Sequence, residues 1–91
     1  MLPYADQSFD AAYLISVLGE VPDEAAALRE IHRVLKPDGR LVIGEIAVDP
    51  DFIPLAALKA RSASAGFVFE RKSGPGFAYF ARFRPGRAVT T

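Results

Sequence analysis

The sequence predicts an α/β domain, and three observations carry that prediction. Two apolar runs lack alternation, an amphipathic helix lies between them, and two aromatic-rich segments close the chain around a Gly/Pro loop. Leu2 to Asp10 reads as an irregular entry, because Pro3, Asp6, Gln7 and Ser8 interrupt any period. Ala11 to Leu18 is continuously apolar, as a strand buried on both faces would be. Gly19 to Asp23 stops it, and Asp23 is placed to cap a helix from Glu24 to Lys36. In that helix Leu28, Ile31 and Leu35 form one stripe, widened by Val34, while Arg29, Glu30, Arg33 and Lys36 face water.

Pro37 closes the helix and Pro37-Asp38-Gly39 turns the chain into a second strand, Arg40 to Val48. Asp49-Pro50-Asp51 opens a loop, and Ile53 to Ala65 is a second helix with Gly66 at its C-cap. Phe67–Arg71 and Phe77–Phe83 then form a hairpin across Lys72 to Gly76. Residues 85–91 are expected to be a flexible tail. Two strands joined through a helix imply a parallel βαβ unit.

At 91 residues the chain is one small domain or part of a larger one. A domain of this length buries only roughly 60–65% of its unfolded surface, so its stability margin is thin. Zero net charge gives no global field toward nucleic acid or a membrane. No apolar run approaches the roughly 18–20 residues of a membrane helix, and the amino terminus has no signal-peptide pattern, so a cytoplasmic location is expected. Without cysteine there is no disulfide framework and no zinc–sulfur site, and no metal is expected.

The neutral total hides an asymmetry. Residues 1–58 hold ten carboxylates and four bases, whereas residues 59–91 hold seven bases and one carboxylate, Glu70. Mutual neutralisation of the two ends is the expected outcome. A nucleic-acid surface is the weaker reading, because the bases are spread over strands and a tail.

The residues themselves build no self-sufficient active site. His32 is the single histidine and sits beside the apolar stripe, where a packing role is expected. Asp49 and Asp51 read as turn and capping residues. Gly74-Pro75-Gly76 joins two strands and leads into no helix, so it offers no amide cradle to phosphate, and G-x-G-x-x-G is absent.

Three segments nonetheless carry a family resemblance. Leu2-Pro3-Tyr4-Ala5-Asp6-Gln7-Ser8-Phe9-Asp10 resembles the "L-P-F-x-D-x-S-F-D" segment of class I S-adenosylmethionine-dependent methyltransferases. Ser16 to Asp23 follows where that family has its post-strand loop. Ala27 to Ile43, with Leu28-Arg29-Glu30-Ile31-His32-Arg33-Val34-Leu35-Lys36-Pro37-Asp38-Gly39, is similar to its "L-R-E-h-x-R-V-L-K-P-G-G-x-L" stretch. The likeness covers residues 2–48 well and the closing hairpin more loosely.

The resemblance implies that residues 1–84 are the C-terminal half of a Rossmann-like sheet, strands four to seven of that fold. It implies S-adenosylmethionine as cofactor and a small molecule as methyl acceptor. Ser16, Val17 and Leu18 map onto the cofactor-proximal loop, with Leu2 and Pro3 just after the adenine-contact segment; packing or turn formation is the alternative role for all five. No catalytic residue is assigned, and Gly19-Glu20 departs from the histidine or aromatic residue often found there. The family's glycine-rich loop and ribose-binding acid have no counterpart in these 91 residues.

Methyl transfer from a sulfonium needs alignment more than titratable groups, so a methyltransferase, or half of one, is the first functional reading. The alternative is a non-catalytic remnant that self-associates or docks to a partner, and weak or absent cofactor binding is expected of this chain alone. A strand at 11–18 without its neighbour would expose an apolar edge, so a homodimer through that strand is expected.

Overall fold

The computed structural model describes residues 2–15, 18, 21–48 and 50–86. Six elements follow one another: β1 (Phe9–Ile15), α1 (Glu24–Val34), β2 (Leu35–Ile46), α2 (Leu55–Ser64), β3 (Phe67–Ser73) and β4 (Ala78–Pro85). The four strands form one sheet in the order β1-β2-β4-β3. β1 and β2 are parallel, and β4 runs antiparallel to both β2 and β3. This is the predicted α/β class, with the helix-linked parallel pair and the closing hairpin in place.

α1 starts where its cap predicts. The Asp23 carboxylate accepts the Ala26 N–H at 3.0 Å, and Glu24 lies at the positive end of the dipole. Leu28, Ile31 and Val34 are its buried face. The helix ends at Val34, two residues before the predicted Lys36, because Leu35 turns extended and pairs with Phe9. Pro37 disfavours helical geometry at Lys36 and fits that early exit.

The predicted turn at Pro37-Asp38-Gly39 lies inside β2. Phe9 pairs with Leu35 and Ala11 with Arg40, so β2 takes five steps where β1 takes two. The three-residue excess is a bulge, one of the few sheet positions that tolerate proline. β2 ends at Ile46, short of the predicted Val48. β1 begins at Phe9, ahead of the predicted Ala11. Of the rest of the predicted 11–18 strand, Ser16 and Val17 lie outside the described residues and Leu18 lies beyond the strand end.

Gly66 follows α2 with φ of 93°, the left-handed stop expected after a helix. β4 extends past the predicted Phe83, with Pro85 opposite Phe67 and the Gly86 N–H donating to Gly66 O at 2.7 Å. The expected tail therefore loses its first two residues to the sheet end; its remainder, 87–91, lies outside the described residues.

Both helices cover the same face of the sheet. Leu28, Ile31 and Leu58 join Leu41, Ile43, Ala81 and Phe83 in one core, against which Ala12 and Leu14 pack. Burial of β1 and β2 on both faces, implied by their apolar runs, is not what the fold shows. On the opposite face Tyr13 is 69% exposed, Ile15 47% and Phe80 52%.

Among the described residues, Arg61 meets Glu24 at 3.0 Å and Arg40 meets Glu70 at 2.9 Å across the two ends, while Arg82 and Arg84 turn to Glu70 within their own half.

Candidate functional site

In an open α/β sheet, ligands bind beyond the carboxyl ends of the parallel strands. Here that edge follows Ile15 of β1 and Ile46 of β2. Ser16 and Val17, assigned to it from the sequence, lie outside the described residues. Leu18 lies there, but its side chain is fully buried in the core. Its carbonyl accepts the Val21 N–H at 3.2 Å, which tightens the turn leaving the strand.

Leu2 and Pro3 are exposed and lie beside α1. The Leu2 N–H donates to Glu30 Oε1 at 2.9 Å, and the Leu2 carbonyl accepts from Arg33 Nη2 at 3.1 Å. Leu2 also lines an open groove of about 440 Å³ along the free side of β1, with Ala12, Leu14, Ala27 and Ile31. The five predicted residues are thus divided between a core position, a helix flank and two positions not described.

Arg33 organises the entry segment. Besides Leu2, it donates to Tyr4 O at 2.9 Å, to Asp6 Oδ1 at 2.7 Å and to both oxygens of Glu30 at 3.0 Å. These donors hold the Glu30 carboxyl down to about 2, with the Leu2 N–H adding to the effect. The same carboxylates hold the guanidinium charged far above its ordinary range.

Glu45 is the feature that the sequence does not reveal. It is 2% exposed, one residue before the end of β2, and its Oε1 accepts the Ile53 N–H at 3.0 Å. Tyr79, opposite Glu45 on β4, donates its hydroxyl to Ile53 O at 2.5 Å. Burial, then the nearby Glu45 charge, pushes the Tyr79 hydroxyl up to about 12. The pair grips both polar groups of one peptide residue and fixes the chain between β2 and α2 at the carboxyl edge. Burial of both side chains makes this a positioning device.

His32 is a packing residue, as expected. Its Nε2 lies 3.1 Å from Gly86 O, and its ring meets Phe67 edge-on. Among the described residues, no group of three or more His, Cys, Asp or Glu side chains could hold a metal ion. Nor do the described residues build a site for S-adenosylmethionine. Glu45 is committed to Ile53, the Leu2 N–H to Glu30, and the Leu18 side chain to the core.

The methyltransferase domain family model matches residues 1–43. A methyltransferase, GfsG, of Streptomyces halstedii is 49% identical over 47 residues, covering 52% of this chain and 17% of that protein. The 27-O-demethylrifamycin SV methyltransferase of Amycolatopsis mediterranei is 37% identical over 65 residues, 71% of this chain and 24% of that protein. A crystal structure of an S-adenosylmethionine-dependent methyltransferase from Thermotoga maritima superposes with a TM-score of 0.80 at 22% identity, over 93% of this chain and 60% of that one. The chain therefore spans less than a quarter of these two curated relatives and somewhat over half of the solved fold. Motif order, strand order and relatives converge on the class I S-adenosylmethionine-dependent methyltransferase family: residues 1–43 match its methyltransferase domain model, and the four-stranded sheet corresponds to part of its Rossmann-like fold.

Proposed function

We propose that this chain supplies the C-terminal half of an S-adenosylmethionine-dependent methyltransferase domain that acts on a small-molecule acceptor. The observation that carries the reading is the β1-β2-β4-β3 sheet, with the matched sequence running through β1, α1 and most of β2. The described residues hold loops at the carboxyl edge but offer no cofactor cradle. A complementary half is therefore needed to hold the methionine and ribose ends, and Ser16, Val17, Leu18, Leu2 and Pro3 are this chain's share of the site. A small-molecule acceptor is supported by the relative named for methylating 27-O-demethylrifamycin SV. A cytoplasmic location belongs to the same reading.

A chimaera tests it. Residues 2–48 would replace the matching segment of the Streptomyces halstedii methyltransferase. Retained binding of S-adenosylhomocysteine by the folded chimaera is the expected result; a folded chimaera that has lost it would overturn the reading.

A second reading, a homodimer through β1, has its own support. Among the described residues β1 pairs only with β2 and stands at the end of the sheet order, so one side of Phe9–Ile15 has no strand partner there. Two copies related by a two-fold axis would pair these edges antiparallel into one continuous sheet.

A further inference from the structure

The carboxyl edge of the sheet is apolar where β2 and β4 meet. Ile46 ends β2 and pairs with Ala78, the first residue of β4. One step beyond, the Ala47 N–H donates to the Phe77 carbonyl at 2.7 Å, so the β2–α2 loop and the β3–β4 turn leave the sheet joined. Three apolar side chains stand exposed here: Val48 at 89%, Phe77 at 66% and Ile46 at 45%. Single exposed apolar residues are ordinary, but three on adjoining segments form a patch of the kind that marks binding surfaces.

The patch rests on a fixed frame. The Ala78 N–H donates to the Pro75 carbonyl at 3.0 Å, closing the turn that carries Phe77. Ile53 is gripped through its N–H by Glu45 Oε1 and through its carbonyl by the Tyr79 hydroxyl. Phe52 meets the Tyr79 ring edge-on, with centroids 6.1 Å apart. Val48 therefore lies between two anchored points, Ala47 and Ile53. The turn that carries Phe77 joins β3 and β4, at the far end from β1 in the order β1-β2-β4-β3, so its exposure does not arise from the open side of β1.

We propose that Val48 and Phe77 select the methyl acceptor: with Ile46 they form an apolar wall against which the ring body of an uncharged acceptor lies. The inference rests on the methyltransferase reading, which puts ligands beyond this edge, and deepens it by naming the acceptor's chemistry. Small-molecule sites are lined mainly by apolar and aromatic side chains, and a flat ring gains most beside an aromatic such as Phe77. Neither residues 47–54 nor residues 74–77 contain a lysine, arginine or histidine. An acidic acceptor would thus be desolvated against hydrocarbon with no base to receive it. Asp51, exposed on the same loop, repels an anion as well, and it is already engaged, so it offers an ammonium no vacant partner.

The test titrates three probes that share one ring system into the full chain: 1-naphthol, 1-naphthoate and 1-naphthylmethylammonium. The neutral probe is expected to move the amide resonances of Ala47, Val48 and Phe77 and to bind at least about fivefold more tightly than either ion. Phe77→Ser should weaken 1-naphthol at least about fivefold, with the resonances of Leu41 and Ile43 unmoved. Val48→Lys should raise 1-naphthoate to the level of 1-naphthol or above it, a change of preference that a merely structural role would not produce. Should Phe77→Ser fail to fold, Val48→Lys carries the test from a fully accessible position.

Equal binding of the three probes, tighter binding of either ion, shifts confined to Tyr13 and Ile15, or a preference unchanged in Val48→Lys would each overturn the proposal. These failures leave the methyltransferase reading standing if the chimaera holds S-adenosylhomocysteine. A chimaera that loses it would overturn the acceptor role together with that reading.

Discussion

Arg33 Nη1 donates to Asp6 Oδ1 across 2.7 Å, joining two residues 27 positions apart. The contact explains why the entry segment and the helix motif occur together. Asp6 belongs to Leu2-Pro3-Tyr4-Ala5-Asp6, and Arg33 to the Leu28–Pro37 stretch. One guanidinium holds the carbonyls of Leu2 and Tyr4 and the carboxylate of Asp6, so it fixes the path by which the chain enters β1.

Arg33→Met should therefore release residues 2–6 while leaving the sheet intact. Hydrogen exchange is the check: protection of the Leu2 amide should be lost, and that of Leu41 and Ile43 in β2 kept. Unchanged protection at Leu2 would contradict the role given to Arg33.

Two groups give the fold opposite pH limits. The Glu30 carboxyl is depressed to about 2, below the unfolded carboxylate range near 4.5. Its contribution is complete above that range and is lost as pH falls toward 2. Tyr79 is raised to about 12 from 10, so its contribution is complete below pH 10 and is lost as pH rises toward 12. Melting temperatures across both ranges should show a shallower acid limb for Glu30→Gln and a shallower alkaline limb for Tyr79→Phe. Limbs identical to the parent's would contradict both assignments.

The two glycines of Gly74-Pro75-Gly76 should behave differently. Gly74 has φ of 95°, and a Cβ there would meet Ala78 O at 2.5 Å. Nothing lies within 4 Å of a Cβ at Gly76. Gly74→Ala should cost about 1–3 kcal/mol. Gly76→Ala should stay within about 0.5 kcal/mol. Chemical denaturation of the two variants checks this, and equal losses would contradict it.

If β1 pairs with its own copy, sedimentation at low micromolar concentration should report about twice the chain mass. Tyr13→Lys should shift the chain toward monomer, because lysine on an edge strand opposes pairing. A parent chain sedimenting as a clean monomer would refute the dimer.

The βαβ order was legible in the sequence because local signals and tertiary structure agree there: the Asp23 cap, the Leu28/Ile31 stripe and the glycine after α2. Pro37-Asp38-Gly39 was misread as a separating turn because its signal is local, whereas the pairing of Phe9 with Leu35 that draws it into β2 comes from tertiary structure. An apolar run reads alike whether one face is covered or two, so the bare side of Tyr13 and Ile15 was hidden. The site was less legible still. Nothing in Gly44-Glu45-Ile46 signals a carboxylate that reaches back to Ile53, because the signal is a pairing with Tyr79, 34 positions later.

Calorimetric titration of S-adenosylhomocysteine into the 91-residue chain tests the central claim most directly, because that claim gives this chain only part of a cofactor site. The account predicts no saturable heat, or a Kd weaker than about 100 μM, with binding retained in the chimaera in which residues 2–48 replace the matching segment of the Streptomyces halstedii methyltransferase. A low-micromolar Kd for the chain alone, about −8 kcal/mol, would contradict it.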